Sequence, residues 1–418
     1  MPSDRDAPAA EHYAAASQFV AALGAAMSAA NYPVTMVHTV MAATSKAYGL
    51  DNHFLALPNY VQVGSPTGDG LYIANPDFVV RYDQSFPLAK LVARAPAGTV
   101  DPADGMAELD RIRNLDKRFP LWLTILGYAV QSAGLALILQ PTTLSLIGAA
   151  TLGLLVGVLS VAGRRIEAIG YMLPTICAFL VALIVFSFNE RWHVGVDSLR
   201  ALAAPLATFL PGAAITLAVI ELSTRHVVSG ASRLVAGFMQ IGQLAFGILI
   251  AAQVAGIADA NLVTTELNRL GPWAPILGVL VYGIGIWLNF GPPTSFLPWM
   301  GLMLYTAYAG QWLGNELLGS YASGFGGGLT LILFALAISH RPNTPPTISL
   351  VVPGFWLLVP GSLGFMGVTQ LLGTHSSAAF TATLISLMSI AVGVQTGLLM
   401  WRAAIQLTDN PHRRTLHD

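Results

Sequence analysis

Long stretches without charge follow Arg118, and they constrain this chain more than any other feature. Phe119–Gln140, Thr142–Gly163, Ala168–Asn189, Ala201–Ile220 and Leu234–Ala258 contain no Asp, Glu, Lys or Arg. Gly271–Asn315 runs for 45 residues without one, interrupted at Gly291-Pro292-Pro293. Leu317–Ser339 is another such run, and Pro342–Trp401 extends for 60 residues. About 20 apolar residues suffice to cross a bilayer as a helix. Continuous apolar runs exclude a membrane barrel, whose strands alternate lipid-facing and lumen-facing residues. The expected fold is therefore a polytopic α-helical membrane protein with about ten spans. They fall near 119–140, 142–163, 168–189, 200–222, 232–257, 273–290, 294–312, 318–340, 348–372 and 378–402.

The first 118 residues are of another kind. They hold 21 of the 41 charged side chains, 9 basic and 12 acidic. That density belongs to a water-exposed surface, and the mild acidity gives no support to a nucleic-acid partner. Ala-rich residues 9–30 predict a helix, and Pro33 suits the first turn of a second one ending near Gly49. The runs His53–Val63, Gly70–Ile73 and Phe78–Tyr82 read as strands, and Phe86–Ala93 and Pro102–Leu115 as helices. A small α/β soluble domain over residues 1–118 is expected. The start, MPSDRDAPAAEH, lacks the charged and apolar regions of a signal peptide. Cys177, the single cysteine, lies in an apolar run and reads as a small buried hydrophobe.

Basic residues near the span ends set an orientation. With the N-terminus inside, the inner segments hold Lys117, Arg118, Arg164, Arg165, Arg225, Arg233, Arg341, Arg402, Arg413 and Arg414, and the outer ones only Arg191, Arg200 and Arg269. The asymmetry places both termini in the cytoplasm of a protein spanning the cell inner (plasma) membrane many times.

The apolar part also repeats. At an offset of 149, Pro211 meets Pro360, Gly212 meets Gly361, Glu221 meets Gln370 and His226 meets His375. Gln140-Pro-Thr-Thr likewise resembles Gly291-Pro-Pro-Thr, each between the first two spans of its half. Five spans per half is an odd number, so the second copy enters the membrane from the opposite side. The expected organisation is two inverted five-helix repeats, 119–258 and 271–403, followed by a cytoplasmic tail, 404–418. Secondary transporters are commonly built this way.

In these stretches the chain resembles the threonine/serine exporter family. The likeness runs through Asn31-Tyr-Pro-Val to Ala47-Tyr-Gly-Leu, Leu57-Pro-Asn-Tyr-Val-Gln-Val, Leu88-Ala-Lys-Leu and Ala107-Glu-Leu-Asp-Arg-Ile ahead of Phe119-Pro. Leu210-Pro-Gly to Ser229-Gly and Val359-Pro-Gly continue it in the membrane part. The resemblance implies a cytoplasmic domain joined to ten spans that export small amino acids such as threonine and serine; protons are the expected coupling ion. Two departures stand out. His38 occupies a place where many members carry an acidic residue, and Leu57-Pro58-Asn59 replaces a Thr-Pro-Thr-like turn. Both weaken an enzymatic role for the N-terminal domain.

An amino-acid zwitterion needs donors for its carboxylate and acceptors for its ammonium, and a broken helix supplies both from its backbone. Pro211, Gly212, Pro360 and Gly361 are the expected breaks and substrate contacts, with Thr208, Gln243 and Asn289 as polar neighbours. The simpler reading of each Pro-Gly is a kink repaired by adjacent helices, and of each polar residue a packing contact. Gln131, Thr175, Thr216 and Gln240 are further polar span residues. Glu221, about three turns after the first break, is the candidate proton-coupling group; a charge at a helix end is its plainer reading. Gly153 with Gly157, and Gly324–Gly328, suit close helix packing. No catalytic residue, metal site or cofactor is implied, and no P-loop appears. The expected partners are the amino acid, protons and the lipid bilayer, and a homo-oligomer is compatible with the reading. Two other classes stand beside a transporter: a sensor or scaffold signalling through the N-terminal domain, and an intramembrane enzyme. The latter is disfavoured because Ser160 and Ser187 lack a His or Asp companion. Reporter fusions after Leu115 and at Asp418 are both expected to report a cytoplasmic position, and a periplasmic signal from either overturns the orientation.

Overall fold

The computed structural model describes residues 7–65, 70–76, 78, 80–139, 142–163, 167–192, 198–256, 270–319, 322–341, 344–358 and 377–409. The chain resolves into two compact units. One contains residues 1–118 together with 217–235, the other 119–216 together with 236–418.

In the first unit, α1 (Ala7–Ala29) and α2 (Val34–Ala47) are followed by β1 (His53–Ala56), β2 (Val61–Gly64) and β3 (Leu71–Ala74). After these come α3 (Tyr82–Arg94) and α4 (Pro102–Arg113). The strands form one antiparallel sheet in the order β1-β2-β3, so the domain is of the α+β kind. Phe19, Leu23 and Met27 of α1, Val37 and Met41 of α2, Val61 and Val63 of β2, and Leu88 and Leu91 of α3 supply its buried core. Gly24 lets α1 approach α2, because a Cβ there would meet Met41 Sδ at 2.5 Å.

Two strand expectations need correction. The run His53–Val63 is not one strand but two, folded back at Leu57–Tyr60 with Ala56 opposite Val61. Pro58 has no N–H to give a ladder, and the Leu57 N–H closes the turn on the Tyr60 carbonyl at 3.0 Å. Phe78–Tyr82 forms no strand among its described residues. The Arg81 N–H donates to Gln84 Oε1 at 2.9 Å, a local cap that starts α3 at Tyr82 in place of strand pairing. The α4 start matches expectation: Pro102 takes the first position and Asp101 accepts from the Ala103 N–H at 2.9 Å.

The second unit is helical throughout its described residues. Its elements are α5 (Leu121–Ile138), α6 (Thr143–Gly163), α7 (Glu167–Trp192) and α8 (Ser198–Leu206), which ends in a 3₁₀ turn, Ala207–Phe209. There follow α9 (Gly212–Ser223) and α10 (Val227–Val254), whose joined ends, 217–235, belong to the first unit. Next come α11 (Trp273–Phe290), α12 (Leu297–Leu318), α13 (Ser323–Ser339), α14 (Thr347–Leu358) and α15 (Ser377–Asp409). Among the described residues, six helices are long and apolar enough to cross a membrane, or seven when the bent pair α8–α9 counts as one span. The chain is a polytopic helical membrane protein.

Helix packing follows one scheme twice. In residues 119–256, α5 packs on α6 and α8, α6 on α7 and α8, and α7 on α8. Gly247 of α10 lies against Thr175 and Ala178 of α7. In residues 273–409, α11 packs on α12 and α14, α12 on α13 and α14, and α13 on α14 and α15. Glycines set the closest approaches. Gly153 and Gly157 of α6 face Ser132 and Tyr128 of α5. Gly324 and Gly328 face Ile390 of α15, while Gly326 lies on Gly310 of α12 and Gly327 on Leu358 of α14.

The tightest contact joins α5 to α11. Gly127 lies on Asn289, Gly285 on Gln131, Gly134 on Tyr282 and Gly278 on Leu137, in each case backbone against backbone or close to it. The partner number falls as the α5 number rises, so the two helices run antiparallel. A methyl group at Gly134 would collide with the Tyr282 main chain. Gly134→Ala is therefore expected to destabilise the detergent-solubilised protein by about 1–3 kcal/mol through overpacking. Gly148→Ala, with nothing near its added Cβ, should be neutral or slightly stabilising. Thermal unfolding of the two variants checks this, and equal midpoints would contradict the packing.

Candidate functional site

A helix break organises the second unit. The helix α8 closes through its 3₁₀ turn, the Leu210 N–H bonding the Ala207 carbonyl at 3.1 Å. Leu210 is extended, at φ −75° and ψ 127°, and Pro211 follows. With no N–H of its own, Pro211 cannot continue the α8 ladder. The new helix α9 begins at Gly212, with the Ile215 N–H on the Pro211 carbonyl at 3.0 Å. Segments 202–209 and 212–223 meet at 55°. The break leaves the first N–H groups of α9 without intrahelical acceptors. On its other side, the Phe209 carbonyl accepts from Gln240 Nε2 of α10 at 2.7 Å.

A cavity of about 60 Å³ opens at this break, with room for a few water molecules. The break contributes Ala207, Thr208, Leu210, Gly212 and Ala213 to its wall; Gln131 comes from α5, Tyr282 and Phe290 from α11, Phe355 and Trp356 from α14. Among the described residues, no charged side chain lines it. Phe290 and Trp356 stack with centroids 4.5 Å apart and planes inclined by 28°, joining α11 to α14 on one wall. Gln131 is buried and accepts from Asn289 Nδ2 through its Oε1 at 3.1 Å. Asn289 Oδ1 is itself buried and has no partner among the described residues.

Of the residues singled out in the sequence, Thr208 and Gly212 meet at the cavity wall. Pro211 is buried at the break without lining the cavity. Asn289 reaches it through Gln131. Gln243 is half-buried on α10 and is not among the lining residues. Pro360 and Gly361 lie outside the described residues, as do Gln370 and His375. Glu221 belongs to the first unit.

The aromatic wall escaped the sequence reading, although the offsets that align the two apolar parts contained a signal for it. At the offset of 149 that pairs Pro211 with Pro360, Ala207 corresponds to Trp356. At the offset of 151 that pairs Gln140 with Gly291, Gln131 corresponds to Tyr282. All four line the cavity.

A family model described as "Putative threonine/serine exporter" (ThrE) matches residues 18–255, more than half of the chain. The chain belongs to that family. Among curated proteins it is similar to pheromone-regulated membrane protein 10 of Saccharomyces cerevisiae (strain YJM789), at 26% identity over 358 residues, covering 79% of this chain and 44% of the relative. The protein of the same name from Kluyveromyces lactis is 23% identical over 301 residues, covering 70% of this chain and 31% of the relative. That from Candida albicans (strain SC5314) is 26% identical over 250 residues, covering 56% and 22%. The chain thus spans less than half the length of these relatives. No solved structure matches it significantly.

Whether small solutes reach the cavity can be read with a chemical probe. Its native thiol, Cys177, is fully buried among Ala178, Val181 and Leu244, and buried thiols react poorly. Thr208→Cys, made in a Cys177→Ser background, is expected to react with a small thiol reagent at least about tenfold faster than wild-type Cys177. Equal rates would mean that the cavity is closed to small solutes.

Proposed function

We propose that this chain is a secondary transporter exporting small neutral amino acids such as threonine and serine, coupled to protons, with the substrate bound at the α8–α9 break. The observation that carries the proposal is the composition of the cavity: an uncharged chamber walled by a broken helix and by pairs of residues at corresponding places in the two halves. Family membership supports a transporter. The repeated packing scheme and the antiparallel α5–α11 contact support two inverted five-helix repeats, since an odd number of spans reverses the second copy. On this reading there are ten spans in the inner membrane, both termini are cytoplasmic, and the N-terminal domain is soluble.

Recognition follows from the cavity's chemistry. The free N–H groups at the start of α9, at the positive end of its dipole, suit a carboxylate. Asn289 Oδ1 and the Gln131 side chain are acceptors of the kind an ammonium needs, and the face of Trp356 adds a cation–π surface. Thr208 offers a hydroxyl to a small polar side chain. A charged side chain held at membrane depth would cost several kcal/mol, so backbone dipoles are the economical way to bind a zwitterion there. Pro360 and Gly361 complete the site in the second half on this reading, and Gln243 and Asn289 support it from α10 and α11.

Uptake of labelled amino acids into inside-out vesicles tests the proposal. Threonine and serine are expected to accumulate with wild-type protein and to lose accumulation when a protonophore collapses the gradient. Gly212→Leu and Gly361→Leu should each lower uptake by at least about tenfold while membrane levels stay unchanged, because a side chain at Gly212 would enter the cavity it lines and Gly361 is its counterpart at the offset of 149. Wild-type uptake in both variants would sink the site, and uptake insensitive to protonophore would sink the coupling.

A further inference from the structure

Glu221 and Arg233 are polar groups that the cavity does not use, yet both are buried, Glu221 completely. They sit on the two helices whose joined ends belong to the first unit, Glu221 near the end of α9 and Arg233 near the start of α10. Arg233 Nε lies 3.2 Å from Glu221 Oε2, an ionic contact not aligned as a hydrogen bond. The other carboxylate oxygen, Oε1, accepts from the Val34 N–H at 3.1 Å. Arg233 Nη1 donates to Asn31 Oδ1 at 3.3 Å. A buried pair of charges is costly unless geometry and further hydrogen bonds satisfy it. Here the further bonds come from one place, the turn between α1 and α2.

That turn lacks a cap of its own. Pro33 occupies the N-cap of α2 and offers no side-chain acceptor, so the Val34 N–H finds its partner 187 positions away in the sequence. Glu221 therefore acts as the cap of α2, with its negative charge at the positive end of the helix. Two turns of the same design meet here. After α1, the Tyr32 N–H bonds the Met27 carbonyl and the Asn31 N–H bonds that of Ser28. After α9, the His226 N–H bonds the Glu221 carbonyl and the Arg225 N–H bonds that of Leu222. In each the turning residue has a left-handed backbone, Asn31 at φ 59° and Arg225 at φ 67°. Glycine usually takes that place.

One end of α9 is thus held by the N-terminal domain. The other end, Gly212, lies nine residues away on the same helix, about 13 Å along its axis, at the cavity wall. We propose that the Glu221–Arg233 pair with Asn31 and Val34 is a latch through which the N-terminal domain sets the position of the α9 half-helix and hence the opening of the cavity. This gives Glu221 a positioning role in place of proton transfer. The latch deepens the transport reading and rests on the same cavity.

Val34→Pro is the selective test. It deletes the N–H donor, while proline is favoured at the first position of a helix. The preceding Pro33, at φ −58° and ψ 139°, already has the backbone that a following proline requires. The readout is the rate at which Thr208→Cys, in the full-length Cys177→Ser chain, reacts with a small thiol reagent, alongside threonine uptake. With a latch, Val34→Pro changes the labelling rate at least about fivefold and lowers uptake, whereas a merely structural contact leaves labelling at the rate of the parent Thr208→Cys, Cys177→Ser chain. Unchanged labelling in a folded variant overturns the latch. If Val34→Pro does not accumulate, Glu221→Gln is read in the same assay with the same two outcomes, since it keeps the Oε1 acceptor and removes the charge facing Arg233. Changed labelling in a protein whose wild type transports neither threonine nor serine would uphold the latch and reject the transport reading.

Discussion

Backbone-to-backbone contact between α5 and α11 is the constraint on which the second unit depends. In lipid, helices gain nothing from hiding apolar side chains, because the surroundings are equally apolar. They associate where small residues let main chains approach and dispersion forces sum over a long seam. Gly127, Gly134, Gly278 and Gly285 create that seam, and it brings Gln131 of α5 within hydrogen-bonding reach of Asn289 of α11. Gln131 and Tyr282 can then line a chamber at the side of the seam, where Phe290 of α11 stacks on Trp356 of α14.

The chamber owes its polarity to interrupted backbone and a few neutral side chains. A continuous helix spends its N–H and C=O groups on itself, whereas a helix broken at Leu210-Pro211-Gly212 releases several of them. Where they line a protein cavity this is tolerated, and facing lipid it would not be. Gln240 offsets part of the cost by bonding the Phe209 carbonyl. The side facing the cavity, at Gly212 and Ala213, stays available. On the proposed transport reading such a chamber is useful, because backbone dipoles would hold a zwitterion without presenting a fixed net charge that would trap it.

Residues 217–235 carry charge where the neighbouring spans have little, and they fold with the N-terminal domain. Their two buried charges neutralise one another and cap α2, so the α1–α2 turn and the α9–α10 turn each depend on groups supplied by the other. Neither turn has a glycine at its left-handed position: Asn31 tolerates that backbone better than most residues, whereas Arg225 adopts it against its preference. Local preference gives way here to the contact between turns.

The sequence by itself determined the contrast in charge density between residues 1–118 and the rest, the apolar character of the helices that follow and the position of the first helix break. It led to an expectation of ten spans, where six or seven helices among the described residues are long and apolar enough to cross a membrane. Charge density is a sum over residues, and Pro-Gly acts through its own covalent geometry, so both can be read without neighbours. The gain and loss of strands could not be read so simply: Pro58 splits one run into a hairpin, and the Arg81–Gln84 cap takes the end of another into α3. The tertiary structure alone decided which faces meet. A helix that is apolar all round carries no record of its buried side, so Phe290, Phe355 and Trp356 looked no different from their lipid-facing neighbours. Glu221 was legible as an unusual charge at a span end, but its partner Val34 lies 187 positions away, and Asn31, the partner of Arg233, lies 202 positions from that residue. Only folding brings them close enough for electrostatics and hydrogen bonding to act.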